Sequence, residues 1–361
     1  MSEKLLRGMI LVFLFPWIVA AAEPKGRMEI VWIDVDGGAA TLIVTPERES
    51  ILIDTGWPGF DDRDPKRIER AVREVCKLDH IDHLVTTHWH RDHFGGVEGL
   101  AKRVRIDHYW DRGLPDLDSP DHDAKNFPDG PGRNDRLGIA YRKASEGKRK
   151  TLKAGDRLPL KGDVRAIVLA SGGETITVER RRGSELKSTA GEANPRCSED
   201  VPDQPVDRSD NARSVVLLFE LGDFTFLDCG DLTWNVEKKL VCPVDLIGRV
   251  DLYQVTHHGL DQSNNPLLIK TIEPTVAVMN NGPRKGGSAS TVATLRSIPS
   301  IKMFCQLHKN VLTSDSDNVS PELIVNKDAK GGGYARASVE PDGSSFSVQF
   351  EGGSPRSFGS K

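Results

Sequence analysis

The chain has 361 residues, with 49 lysines and arginines against 53 aspartates and glutamates and a formal charge of −4. That near balance excludes a global field that would recruit nucleic acid or an anionic membrane surface. The length allows one large domain or two small ones, and five cysteines, odd in number and widely spaced, exclude a disulfide framework while leaving room for one bridge.

Residues 1–22 read as a signal peptide. Lys4 and Arg7 supply positive charge, residues 8–19 form an apolar run, and Ala20, Ala21 and Ala22 offer a small-residue cleavage point. The run is short for a membrane span. The expectation is an exported protein, periplasmic or extracellular, with an uncleaved anchor as the rival reading. No later stretch is long and apolar enough to cross a bilayer.

Residues 28–35 and 40–44 read as strands around Gly37 and Gly38, and residues 49–53 as a third strand ending in Asp54, Thr55 and Gly56. Residues 64–78 carry helical spacing, with Ile68, Val72 and Val75 among charges and Pro65 near the start. Residues 81–87 end an apolar, strand-like run in His88-Trp89-His90-Arg91-Asp92-His93, and residues 95–101 open a helix. An extended backbone turns His88 and His90 to one side. Asp92 and His93 follow where the chain turns and face a second point nearby. The pattern suits two cations side by side, roughly 3.5–4 Å apart. His80 and His83 read as structural or exposed.

Residues 111–147 mix Pro115, Pro120, Pro128 and Pro131 with acidic residues. They predict an ordered loop over one face, of the kind that shapes substrate choice; His108 and His122, near or within it, are weak ligand candidates. Residues 151–160 and 164–170 predict strands. Arg180, Arg181 and Arg182 read as a solvated strand end, with a phosphate grip as the alternative, and residues 183–209 as a polar loop insertion. Residues 215–221 and 224–228 form a hairpin leading to Cys229, Gly230 and Asp231, and residues 250–256 a strand ending in His257, His258 and Gly259. A strand and glycine-rich turn over 273–282, a helix over 290–298 and a strand over 301–306 follow. His308 then reaches towards the site rim. A hairpin turns at Asp342-Gly343, and residues 351–361 read as a loose tail.

The His-x-His-x-Asp-His run resembles the second motif of the metallo-β-lactamase superfamily. The strand end at Asp54 resembles the first motif, Gly230-Asp231 the fourth and His257-His258-Gly259 the fifth. The resemblance covers roughly residues 28–350 and implies an α/β fold, the four-layer αβ/βα sandwich of that superfamily, as one domain over residues 23–350. It implies a metal set of His88, His90, Asp92, His93, Asp231 and His257, with Asp231 bridging and Asp54 orienting the ligand loop from behind. Either His257 or His258 fits the fifth motif; His257 is chosen as the first side chain past the strand, which leaves His258 to touch substrate. Cys229 competes with Asp231, and the Gly-Asp pair favours Asp231.

The resemblance breaks where the superfamily places a histidine before the strand at residue 215. Asn211 stands there, a weak oxygen ligand at best. The same departure is seen in the hydrolase domain of the ComEC competence proteins, and Asp34-Val35, Gly38, residues 214–217 and His257-His258-Gly259 agree with that branch, whereas Asp36-Gly37 departs from it. The implied activity is that of a metal-dependent hydrolase in which a metal-bound hydroxide attacks phosphorus or carbonyl, with Asp92 and His258 as catalytic residues. Two divalent ions are expected, zinc first for a His/Asp set, with manganese or iron as alternatives. The expected substrate is a small or polymeric phosphoester. Amide, lactone or thioester hydrolysis, or a non-catalytic binding role, are the alternatives.

Overall fold

The computed structural model describes residues 26–118, 126–182, 190–327 and 331–361. The leader, residues 1–22, and His122 lie outside them. Among the described residues seventeen strands form two sheets: β1 (Met28–Ile33), β2 (Thr41–Val44), β3 (Ser50–Ile53), β4 (His80–Thr86), β5 (Arg105–Asp111), β6 (Arg149–Thr151), β7 (Arg165–Ser171), β8 (Glu174–Thr175), β9 (Val216–Leu221), β10 (Phe224–Asp228), β11 (Leu252–Gln254), β12 (Val276–Met279), β13 (Met303–His308), β14 (Ile324–Asn326), β15 (Tyr334–Val339), β16 (Ser345–Phe350) and β17 (Arg356–Gly359). The first sheet runs β17-β16-β15-β1-β2-β3-β4-β5-β6 and the second β14-β13-β12-β11-β10-β9-β7-β8.

Strand periodicity explains the layering. Ile30 and Trp32 of β1 face the second sheet, in one core with Leu217 and Phe219 of β9 and Phe226 of β10. Val31 and Ile33 point the other way and pack with Leu42, Ile68, Val72, Val97, Leu100 and Tyr141. On the second sheet Val216 and Leu218 turn outward to Leu267, Ile269, Val292 and Leu295. Because side chains alternate along a strand, strands apolar on both faces need a helix layer outside each sheet. The result is helix, sheet, sheet, helix, the αβ/βα sandwich that the motifs imply.

Parallel pairing governs the functional end. β3 pairs parallel to β4 and β4 to β5; β10, β11 and β12 pair parallel in the second sheet. Their carboxyl ends lie at the same end of the sandwich, where open α/β sheets place their sites. A polar link ties the two sheets just beneath. Gln254 Oε1 accepts from Trp32 Nε1 at 2.9 Å and Thr41 Oγ1 at 2.6 Å, while its Nε2 donates to Asp228 Oδ2 at 2.8 Å.

Several expectations need correction. The tail expected to be loose adds β17 antiparallel to β16, because Phe358 of the tail packs on Phe346. The loop expected over 111–147 contains a helix, Arg136–Ala144, N-capped by Asp135 and pinned by Tyr141 Oη donating to Asp111 Oδ2 at 2.9 Å. The strand expected over 151–160 ends at Thr151. The arginine triplet lies on a helix, Val178–Arg182, and buried Arg181 spends its guanidinium on the carbonyls of Leu246 and Ile247. The bridge that the cysteines allow is Cys197–Cys242, closing a loop of 45 residues.

Candidate metal centre

Past β4 the backbone turns, and Asp54 fixes the turn. Asp54 sits at φ 62° immediately after β3. It accepts from Thr87 N at 2.8 Å, Thr87 Oγ1 at 2.7 Å and His93 Nδ1 at 2.6 Å. A carboxylate on Nδ1 leaves the opposite nitrogen, Nε2, to face the site, which is how ligating histidines are usually oriented. Trp89 N donates to Asp210 Oδ2 at 2.6 Å, and Asp210 is ion-paired with buried Arg112. The Trp89 ring meets Phe94 and Tyr141 edge-on at 5.3 and 4.9 Å. With Trp89 anchored in the core, His88 and the Asp92-His93 pair are presented from either side of it. Gly38 permits the close approach of the first sheet's opening turn: a Cβ there would lie 2.5 Å from Asp92 O.

Four buried side chains converge: Asp92, His93, Asp231 and His258. His93 Nε2 lies 3.3 Å from Asp92 Oδ2, 3.1 Å from Asp231 Oδ2 and 3.2 Å from His258 Nε2. His258 Nε2 lies 3.3 Å from Asp92 Oδ2 and 3.4 Å from Asp231 Oδ2. His258 Nδ1 meets Asn280 O at 3.3 Å, so its Nε2 also faces inward.

Of the tandem histidines, the structure brings the one expected to touch substrate into the cluster. His258, not His257, joins Asp92, His93 and Asp231. The reason is backbone conformation: both residues adopt left-handed φ, 54° and 53°, so the chain leaves the strand by a tight reversal rather than by extension. His257 stands outside that group of four, with Nε2 3.4 Å from Asp231 Oδ2 and 3.3 Å from Asn211 Nδ2. His88 Nε2 lies 3.9 Å from Asp231 Oδ2. His90 stands at the rim, its Nε2 3.3 Å from Asp129 Oδ2.

The charge arrangement is that of a cation site. Asp92 and Asp231 are held well below the ordinary carboxylate range; burial opposes this, and the surrounding imidazoles outweigh it. His93 is pushed well above its ordinary value although burial lowers it, because Asp231, Asp92 and Asp54 surround it. Burial keeps His88 well below its ordinary value and pulls His257 down to about 4. His88 Nε2 and Asn211 Oδ1 are buried without a hydrogen-bond partner, a state that costs about 1–3 kcal/mol per group unless something fills it. Deprotonated imidazoles, carboxylates and orphaned donor atoms fit a divalent cation, whose binding would displace the proton on His93.

Cys229 does not compete: it is fully buried among Leu227, Leu232 and Val255, and burial pushes its thiol well up. His308 does not reach the rim but meets Asp34. His83 pairs with Glu49 at 3.2 Å beneath Trp110, a structural role. Two participants were overlooked. Lys285 Nζ contacts Asp92 Oδ2 and lies 5.0 Å from the Trp57 ring centroid; its signal was a cation inside the glycine-rich turn after β12. Asp210, 121 residues from Trp89, had no sequence signal.

Residues 33–181 match the metallo-β-lactamase superfamily. A metal-dependent hydrolase of Cupriavidus taiwanensis is 33% identical over 100 residues, covering 27% of this chain and 32% of its own. ComE operon protein 3 of Bacillus subtilis is 23% identical over 286 residues, covering 76% of this chain and 30% of its own. These relatives are thus matched over about a third of their length. Among solved structures, Igni18, a metallo hydrolase of Ignicoccus hospitalis, aligns at TM-score 0.40 and 12% identity over 76% of this chain and 94% of its own. With its motifs in order at the carboxyl ends of two facing sheets, the chain is similar to the metallo-β-lactamase superfamily, whose match spans residues 33–181.

Proposed function

We propose that the chain is a metal-dependent hydrolase acting on phosphodiesters or related phosphoesters. The observation that carries the choice of substrate is Lys285. Its ammonium contacts Asp92 beside the carboxylate and imidazole cluster. A divalent cation on Asp92 would compete with that ammonium and free it to meet an anionic group. Its loop is gripped at the site, since Gly287 N donates to His258 O at 2.9 Å.

When bound, divalent cations supply Lewis acidity and lower the pKa of a coordinated water. Asp92, His93, Asp231 and His258 would hold them, with His88, His90 and Asn211 alongside. Asp54 keeps His93 oriented, and Lys285 positions the phosphate and offsets charge that grows on its oxygens. His258, read from the sequence as a substrate contact, is better placed as a ligand. Metal identity stays open between zinc, manganese and iron. Export fits the Cys197–Cys242 bridge, since disulfides persist in oxidising compartments. Among the described residues no helix is long and apolar enough to cross a membrane.

The test is turnover of bis(p-nitrophenyl) phosphate beside a chromogenic β-lactam, with and without chelator. We expect the diester to be cleaved, the activity to vanish with chelator and to return with zinc or manganese. Lys285→Ala should raise KM for the diester about tenfold, equivalent to ~1.4 kcal/mol. Turnover of the β-lactam alone would transfer the assignment to carbonyl substrates. Absence of both metal and turnover would leave a binding protein on this fold.

A further inference from the structure

The helix Trp234–Lys239 begins three residues after Asp231 and carries a buried carboxyl, Glu237, that lies outside the metal cluster. Its Oε2 accepts from Asn265 N at 2.8 Å, and its Oε1 is buried without a hydrogen-bond partner among the described residues. Burial pushes this carboxyl up to about 7, with the Asn265 N–H holding it down. A half-satisfied carboxyl is costly inside a protein, and an apolar residue of similar size would avoid the cost. What Glu237 holds gives the return. Asn265 closes the loop that carries the tandem histidines. Its Oδ1 accepts from Leu267 N at 2.9 Å and caps the helix Pro266–Ile272, while its Nδ2 donates to Trp234 O at 3.2 Å. Trp234 N in turn donates to Gln262 O at 3.0 Å. Within the loop, Asn264 Nδ2 donates to the carbonyls of Thr256 and Leu260, both at 3.0 Å, and Tyr253 Oη pairs with Thr256 Oγ1 at 2.6 Å. Residues 256–265 are thus braced into one piece, and Glu237 fastens that piece to the helix after Asp231.

We propose that Glu237 is a positioning residue of the metal centre, which joins the segment after Asp231 to the segment after His258 and so sets how their ligand atoms meet. Parallel pairing of β10 with β11 places the two strand ends side by side. Past the strands that pairing no longer acts. His258 adopts the left-handed φ of 53°, a conformation that persists only where its surroundings hold it. The fastening through Glu237 and Asn265 holds it from the outer side, and Asp231 Oδ2 and His258 Nε2 stand 3.4 Å apart. Glu237 touches no ligand; it acts through the loop. A carboxyl suits the task because its oxygen accepts the N–H of a helix-capping residue. Glutamine keeps such an oxygen at the same reach, aspartate withdraws it by one methylene, and leucine lacks it.

The inference rests on the hydrolase reading for the presence of metal at all, and titration of the wild type separates the two. The metal-free chain and its variants are titrated with Zn²⁺ and with Mn²⁺ against a chromogenic chelator. Folding is followed by circular dichroism and stability by urea denaturation. Glu237→Leu should weaken metal binding by about 10–100-fold, the range seen when a group supporting a ligand is lost. Glu237→Asp should weaken it in the same direction, and Glu237→Gln should restore wild-type affinity. Leu169→Ala, which opens a cavity in the same outer core from β7, should lower stability and leave metal affinity unchanged. Wild-type affinity in folded Glu237→Leu would overturn the proposal. If the leucine variant does not fold, wild-type affinity in Glu237→Asp would do the same. Equal losses of affinity in Glu237→Leu and Leu169→Ala would also overturn it, since the effect would then be one of stability alone. So would a loss in Glu237→Gln as large as that in Glu237→Leu. In each of these cases metal uptake by the wild type leaves the hydrolase reading intact. No uptake of either metal by the wild type would remove both.

Discussion

Of two short buried histidine–aspartate pairs, His93–Asp54 and His308–Asp34, only the first belongs to the metal centre. His93 Nδ1 meets Asp54 at 2.6 Å, and His308 Nε2 meets Asp34 at 2.7 Å. What surrounds each pair separates them. Asp34 is closed off: its other oxygen takes Arg67 at 3.1 Å and Gly332 N at 2.6 Å, and Asp36 N donates to Oδ1 at 2.9 Å. Burial pushes its carboxyl up, and His308, Arg67 and Gly332 together outweigh that and hold it below the usual range. This pair fastens the end of β1 to the end of β13 and asks for nothing further. His93, by contrast, has its second nitrogen among Asp92, Asp231 and His258, where negative charge exceeds what its own proton can balance. A buried His–Asp contact is therefore not a site signal. An imidazole with one nitrogen anchored and the other among carboxylates is.

Breaking the two pairs should give opposite results. The largest effect belongs to Asp34→Asn, which leaves half-buried Arg67 and buried His308 without their carboxylate. It should cost about 3–5 kcal/mol of stability in chemical denaturation, with the metal count unchanged. Asp54→Asn should weaken metal binding by about 10–100-fold with a smaller loss of stability, read by competition against a chelator. If Asp34→Asn lost metal while still folded, or Asp54→Asn kept wild-type affinity, the distinction drawn here would fail. The smallest effect is in pH dependence. Because the folded pKa of Asp34 lies below its unfolded value, its stabilisation is complete above the unfolded value. It is lost as pH falls through the folded one. The stability gap between wild type and Asp34→Asn should accordingly narrow in acid, and a gap that widened would contradict the assignment.

The ligand types and the strand ends that carry them were readable in the sequence, because parallel strands deliver polar residues at their carboxyl ends after an apolar run. Asp92 and His93 are neighbours in one motif, and Asp231, which the resemblance implied, lies beside them. The order of His257 and His258 was not readable: it depends on two left-handed φ angles that neither residue type announces. Lys285 was visible as a basic residue in a glycine-rich turn, yet nothing local aimed it at Asp92, 193 positions earlier. Asp210 was hidden for the same reason. β17 was misjudged because a glycine- and serine-rich composition hides Phe358, whose packing on Phe346 decides the outcome.

The pairing of β1 with β15 has a consequence for how the chain is made. Met28 lies opposite Val339 and Ile33 opposite Tyr334, so one long edge of β1 has no partner until residues 334–339 have left the ribosome. Until then Met28–Ile33 is an apolar strand with a bare edge, the kind of segment that recruits other chains. Contacts this distant in sequence also close slowly. A strand made late, β15, thus shields β1, and a truncation that spared every ligand, ending just after the tandem histidines, should yield aggregates rather than a smaller enzyme.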